Sequence, residues 1–152
     1  MKILIIDAQG GGMGRQLVAS VKKNFPHVEI TAVGTNALST SNMLKAGPDH
    51  AATGENAVIV GCRNADLIIG PVGIAIADSM YGEITPAMAA AVGQSDVKKL
   101  LIPINHCNHI IVGVENTSMS HMLEAVLEEL KKVMPLKQRI DNKFGTLQQE
   151  NS

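Results

Sequence analysis

Aromatic residues are nearly missing from this chain, which has no Trp, one Tyr and two Phe among 152 residues. The flat side chains on which single-stranded nucleic acid stacks are therefore scarce. An excess of charge is missing too. Against 13 Lys and Arg stand 14 Asp and Glu, a formal net charge of −1. That leaves no electrostatic footprint for DNA, RNA or an anionic membrane. Two cysteines, Cys62 and Cys107, are too few for a disulfide framework. No apolar run nears the ~18 residues that a membrane-spanning helix needs. The first strand begins within two residues of Met1, so no secretory leader is expected, and a reducing cytoplasm is the expected setting.

What the chain has is aliphatic. Hydrophobic residues make up 45%, with eight Met, enough for one good core. Residues 3–6, 28–33, 50–53, 66–70 and 99–104 read as strands. Residues 13–24, 36–46, 55–64 and 87–93 read as helices, the last entered through Thr85-Pro86 as cap and first residue. A final helix starts at Ser118 or Ser120, with Met122, Leu123, Val126, Leu127 and Leu130 on one face, and stops at Pro135. Residues 74–80 read as one or two helical turns. Residues 110–114 read as a sixth strand, brought antiparallel beside the fifth by a short link. Strands alternating with helices predict an α/β fold: a single doubly wound, mostly parallel, Rossmann-like sheet with helices on both faces over residues 1–135. A flavodoxin-like strand order stays open. Residues 136–152 are polar and expected to be a mobile tail.

Residues 2–17, KILIIDAQGGGMGRQL, carry the main functional pattern. A buried strand meets Gly10, Gly11, Gly12 and Gly14, and a helix opens at once. Such a turn offers backbone N–H groups to an anion at the positive end of a helix dipole. Gly10, Gly11, Gly12, Met13 and Gly14 are the first candidate cofactor-binding residues. The G-x-G-x-x-G pattern is incomplete in both registers, and a tight turn without ligand is the plainer alternative. Asp7 at the strand end braces the loop, or holds a metal or a hydroxylated or cationic ligand. The second strand lacks the acid that takes ribose hydroxyls in NAD sites. Thr35 and Asn36 stand there instead, as ribose or phosphate partners or as a helix cap. NAD and NADP both stay open, since no acid excludes a 2′-phosphate and no Arg binds it.

A second glycine turn, with Gly70, Pro71 and Gly73, follows the fourth strand and should face the first across one crevice, with Asn105 at the same edge. Asp78 and Tyr81 are weak candidates for proton transfer; a polar loop leading into the Thr85 cap is the alternative. Cys107 and His106 are catalytic candidates, as a nucleophile and its base. With His109 they match no familiar zinc spacing, so no metal site is expected.

The segments IIDAQGGGMG (5–14), ADLIIGPVGI (65–74), GEITPAMA (82–89) and LIPINHCNHIIVGV (101–114) resemble a small bacterial family of Rossmann-like domains, known only as a domain of unknown function. The resemblance covers most of residues 1–115. It implies the fold and a ligand crevice and brings no activity. A broader resemblance to NAD(P)-binding domains rests on Gly10, Gly11, Gly12 and Gly14 alone. The function expected is binding of a nucleotide or other phosphate-bearing small molecule at the glycine loop. The alternative is a non-catalytic sensor or subunit acting through oligomerisation, with residues 74–80 and Met-rich segments as a homo-oligomer face.

Overall fold

The computed structural model describes residues 1–104 and 109–135. Its centre is β1 (Lys2–Asp7). Ile3, Leu4, Ile5 and Ile6 are all buried, on both faces, which is why they read as a run and not as an alternation. Four more strands join it: β2 (Glu29–Gly34), β3 (His50–Thr53), β4 (Leu67–Pro71) and β5 (Lys98–Ile102). The order is β3-β2-β1-β4-β5, and every pairing is parallel. Ile3 stands between Ile30 and Leu67. This is the Rossmann order without its sixth strand, and it removes the flavodoxin-like alternative.

Helices α1 (Gly12–Asn24), α2 (Ala37–Leu44) and α5 (Met119–Val133) cover one face. Leu17, Val18 and Val21 of α1 pack there with Ile3, Ile5, Met43, Val126 and Leu130. Helices α3 (Glu55–Asn64) and α4 (Pro86–Gln94) cover the other. There Val58, Cys62, Met88 and Val92 meet Leu4, Ile6 and Ile68. Local chemistry sets the starts of α2, α4 and α5. The side chains of Asn36, Thr85 and Ser118 accept the backbone N–H groups of Ser39, Met88 and His121. The Thr85-Pro86 start is as expected.

Two expectations change. Residues 110–114 form no strand, so the sheet of the described residues has five strands and no antiparallel one. Gly113 sits at φ +85, a left-handed turn that breaks an extended run. Residues 74–80 are not an α-helix or a surface face. A single 3-10 turn (Val72–Ala75) leads into a stretch where Asp78, Met80, Tyr81 and Gly82 all have positive φ. Ile74 and Met80 are core, because the helix-poor turn folds them back under α4. No described helix is long and apolar enough to cross a membrane.

Candidate functional site

The chain winds outward from β1 through β2 to β3, then crosses back to β4 and on to β5. The carboxyl ends of β1 and β4 therefore diverge at the switch point, where open α/β sheets hold ligands. A cavity of about 250 Å³ lies there. One wall is the turn from Asp7 to Met13. The opposite wall is Pro71, Val72, Gly73 and Ser79. Ile76, Met80, Ile104 and Met119 supply an apolar side, with His109 beside them.

The glycine turn is built by hydrogen bonds that start from Asp7. Its carboxylate is 5% exposed and accepts the N–H of Ala8 at 2.8 Å and of Gly14 at 2.6 Å. Burial pushes its pKa up, and the Glu83 charge adds to that. The two amides pull it down without cancelling the burial. Asp7 thus takes the loop-bracing role. Gly11, the residue before α1, adopts φ +71 and donates its N–H to Ala8. Gly12 and Met13 open the helix, so their amides have no carbonyl a turn earlier to meet. A side chain at Gly10 or Gly12 would meet nothing within 4 Å.

Behind the turn lies Glu83, a carboxylate whose partners the sequence pattern does not reveal. Glu83 accepts the Gln9 N–H at 2.5 Å and the Thr35 hydroxyl at 3.1 Å on one oxygen. Its other oxygen accepts the Asn36 amide at 3.1 Å. Asn36 also donates to the Gln9 carbonyl at 3.0 Å, and Asn42 donates to the Gly10 carbonyl. The acid absent from the end of β2 arrives there from the turn after β4. Its partners lie 47 to 74 residues away in sequence, beyond any local pattern.

Of the residues singled out from sequence, Gly10, Gly11, Gly12, Met13, Pro71 and Gly73 line the cavity together. Gly14 lies behind the loop against Met43 and Asp7, and Gly70 against the Ile6 carbonyl. Thr35 and Asn36 sit in the Glu83 cluster, and Asn36 is the cap of α2. Asp78 and Tyr81 are exposed on the left-handed turn, Tyr81 at 91%. Neither lines the cavity. Asn105, His106 and Cys107 fall outside the described residues. Among the described residues no cluster of His, Cys, Asp and Glu could hold a metal. Cys62 is buried, and burial pushes its thiol pKa up, which makes it a poor nucleophile.

Residues 2–135 match the model of a domain of unknown function (DUF3842). The chain belongs to this family. No curated protein matches it. Among solved structures it is similar to a dodecameric FMN-dependent UbiX-like decarboxylase from Escherichia coli O157:H7. The identity is 15% and the TM-score 0.45, over 92% of this chain and 88% of the other.

Proposed function

We propose that this family member binds a phosphate-bearing small molecule, no larger than a mononucleotide, in the cavity between the two glycine turns. The phosphate rests on the Gly12 and Met13 amides at the start of α1, and the body of the ligand lies along Ile76, Met80 and Met119. The observation that carries this reading is the open front of the loop. Gly10 and Gly12 face space that no protein atom fills, beside a cavity at the switch point. Its volume of about 250 Å³ is below the ~300 Å³ at which typical ligand sites begin.

The residues at the end of β2 argue for a single nucleotide in place of NAD or NADP. Both amide hydrogens of Asn36 and the Thr35 hydroxyl are engaged within the protein. Glu83 already accepts three hydrogen bonds of the about four a carboxylate can take. A second reading is a ligand sensor without chemistry. It is favoured by Asp7, the buried acid of the cavity, being committed to two loop amides.

A melting-temperature screen tests both size and chemistry, with inorganic phosphate, AMP, FMN, ATP, S-adenosylmethionine, NAD and NADP. A phosphorylated mononucleotide at a hundred times its Kd is expected to stabilise by roughly 2.7 kcal/mol, or about 5–10 °C for a chain of this size. Silence from every phosphate compound would overturn the reading. A shift with NAD or NADP alone would overturn the size limit.

A further inference from the structure

In the first glycine turn the carbonyls are occupied and three amides are not. The Asp7 carbonyl accepts the Thr35 N–H, and those of Ala8 and Gly11 accept the N–H groups of Gly11 and Arg15. The Gln9 carbonyl accepts from Asn36 and the Gly10 carbonyl from Asn42. Asp7 holds the amides of Ala8 and Gly14, and Glu83 holds that of Gln9. The amides of Gly10, Gly12 and Met13 meet no acceptor among the described residues. All three residues line the cavity. A turn left with donors alone suits an oxyanion.

Two left-handed residues shape this turn. Gln9 sits at φ +53 and Gly11 at φ +71, and Gly10 between them is not left-handed. Glycine takes such a φ freely, but glutamine does not. Gln9 is held there from both ends. Its N–H donates to Glu83 at 2.5 Å, and its carbonyl accepts the Asn36 amide at 3.0 Å. Asn36 is itself tied to the other Glu83 oxygen at 3.1 Å. Glu83 does not line the cavity. It arrives on the turn in which Asp78, Met80 and Tyr81 are left-handed, and Ser79 and Met80 of that turn form part of the cavity wall.

We infer that Glu83 is a positioning residue for anion binding, acting through Gln9. The Gly10 amide belongs to the peptide that the Gln9 backbone directs. Holding Gln9 left-handed brings that amide to the cavity as a third donor, beside those of Gly12 and Met13 at the start of α1. The inference rests on the phosphate reading given above. The charge of Glu83 makes it sharp. A carboxylate near an anion site opposes binding by repulsion. Repulsion and positioning therefore require opposite signs when Glu83 is removed.

The test is titration of the full, isotope-labelled chain with inorganic phosphate, following the backbone amides by NMR. In the wild type the amides of Gly10, Gly12 and Met13 are expected to move together. Glu83→Ala should weaken phosphate binding about tenfold, the worth of one hydrogen bond to a charged group. Should that chain not fold, Glu83→Asp takes its place. It keeps the charge, withdraws the carboxylate by one methylene and is expected to weaken binding too. Glu83→Gln retains an acceptor for the Gln9 N–H and should stay within about threefold of wild type. Adding Gln9→Gly to Glu83→Ala should restore most of the lost affinity, because glycine takes a positive φ unaided. Phosphate that leaves the wild-type amides unmoved would overturn the phosphate reading and this inference with it. Where the wild type binds, a Glu83→Ala chain that binds as tightly or more tightly would overturn this inference alone. Failure of Gln9→Gly to rescue would do the same, since Glu83 would then not act through the Gln9 backbone.

Discussion

Gly12 and Gly14 stand two residues apart in the first turn of the same helix, and they do opposite things. A Cβ at Gly14 would lie 2.5 Å from the Met43 sulfur and 2.8 Å from the Asp7 Cβ, whereas one at Gly12 would meet nothing within 4 Å. The same division runs through the whole turn. Gly11 presses on the Ser39 backbone, and Gly10 faces open space. The back of the loop is a packing joint, where α1 and α2 approach because glycine permits it. The front faces the cavity. A glycine-rich turn therefore mixes two requirements, close packing and ligand access, and only the neighbours tell them apart.

The largest effect that would test this division is at the back. Gly11→Ala puts a Cβ 2.6 Å from the Ser39 carbonyl oxygen at φ +71. It is expected to cost roughly 3 kcal/mol or more, from left-handed strain plus a clash with backbone that cannot yield. Gly14→Ala should cost less, about 2 kcal/mol, because the Met43 side chain can yield although the Asp7 Cβ at 2.8 Å cannot. Urea unfolding measures both, and equal costs would break the distinction between rigid and yielding neighbours.

Gly12→Val probes the front. Its stability is expected to stay within about 0.5 kcal/mol of wild type, since no positive φ and no neighbour opposes the side chain. Binding of whichever phosphate compound the melting screen selects should be lost, read by calorimetric titration. A folded Gly12→Val protein with unchanged affinity would place the ligand elsewhere.

The smallest effect belongs to Asp7, where the two sides meet. Burial raises its pKa above the ordinary aspartate value, so the folded state holds the proton more tightly than the unfolded one. The stability this adds is complete below the unfolded value, about 3.9, and is lost as pH rises through the folded one. Asp49 runs the opposite way. Its Lys22 partner lowers its pKa, so its contribution is lost only as pH falls below the ordinary range, outside the Asp7 window. Asp7→Asn should therefore flatten the fall in stability just above pH 4, followed by urea midpoints. An unchanged slope would remove burial as the dominant cause.

Much of this was legible in the residues. The strands over residues 3–6 and 50–53, the helix over 55–64 and the Thr85-Pro86 start follow from local patterns: apolar runs, helical spacing, a hydroxyl before proline. Their place after strand ends predicts that Gly11, Gly12, Gly70 and Gly73 line one pocket; Gly11, Gly12 and Gly73 do, while Gly70 packs against the Ile6 carbonyl. Glu83 was not legible as the partner of Thr35 and Asn36, because the turn that delivers it acts across the sheet edge. Residues 110–114 misled for the opposite reason. Their β-branched composition is a true preference for extended chain, but Gly113 turns the run at φ +85, and the Val114 N–H bonds back to the Ile111 carbonyl.

The sequence by itself determined the α/β alternation, the aliphatic core and the glycine turn at a helix start, since each depends on neighbours within a few residues. Only the tertiary structure decided the strand order, which glycines pack and which stay open, and which carboxylate serves the end of β2. Those depend on residues distant in the chain being brought to one edge, where steric fit and hydrogen-bond geometry, not local preference, make the selection.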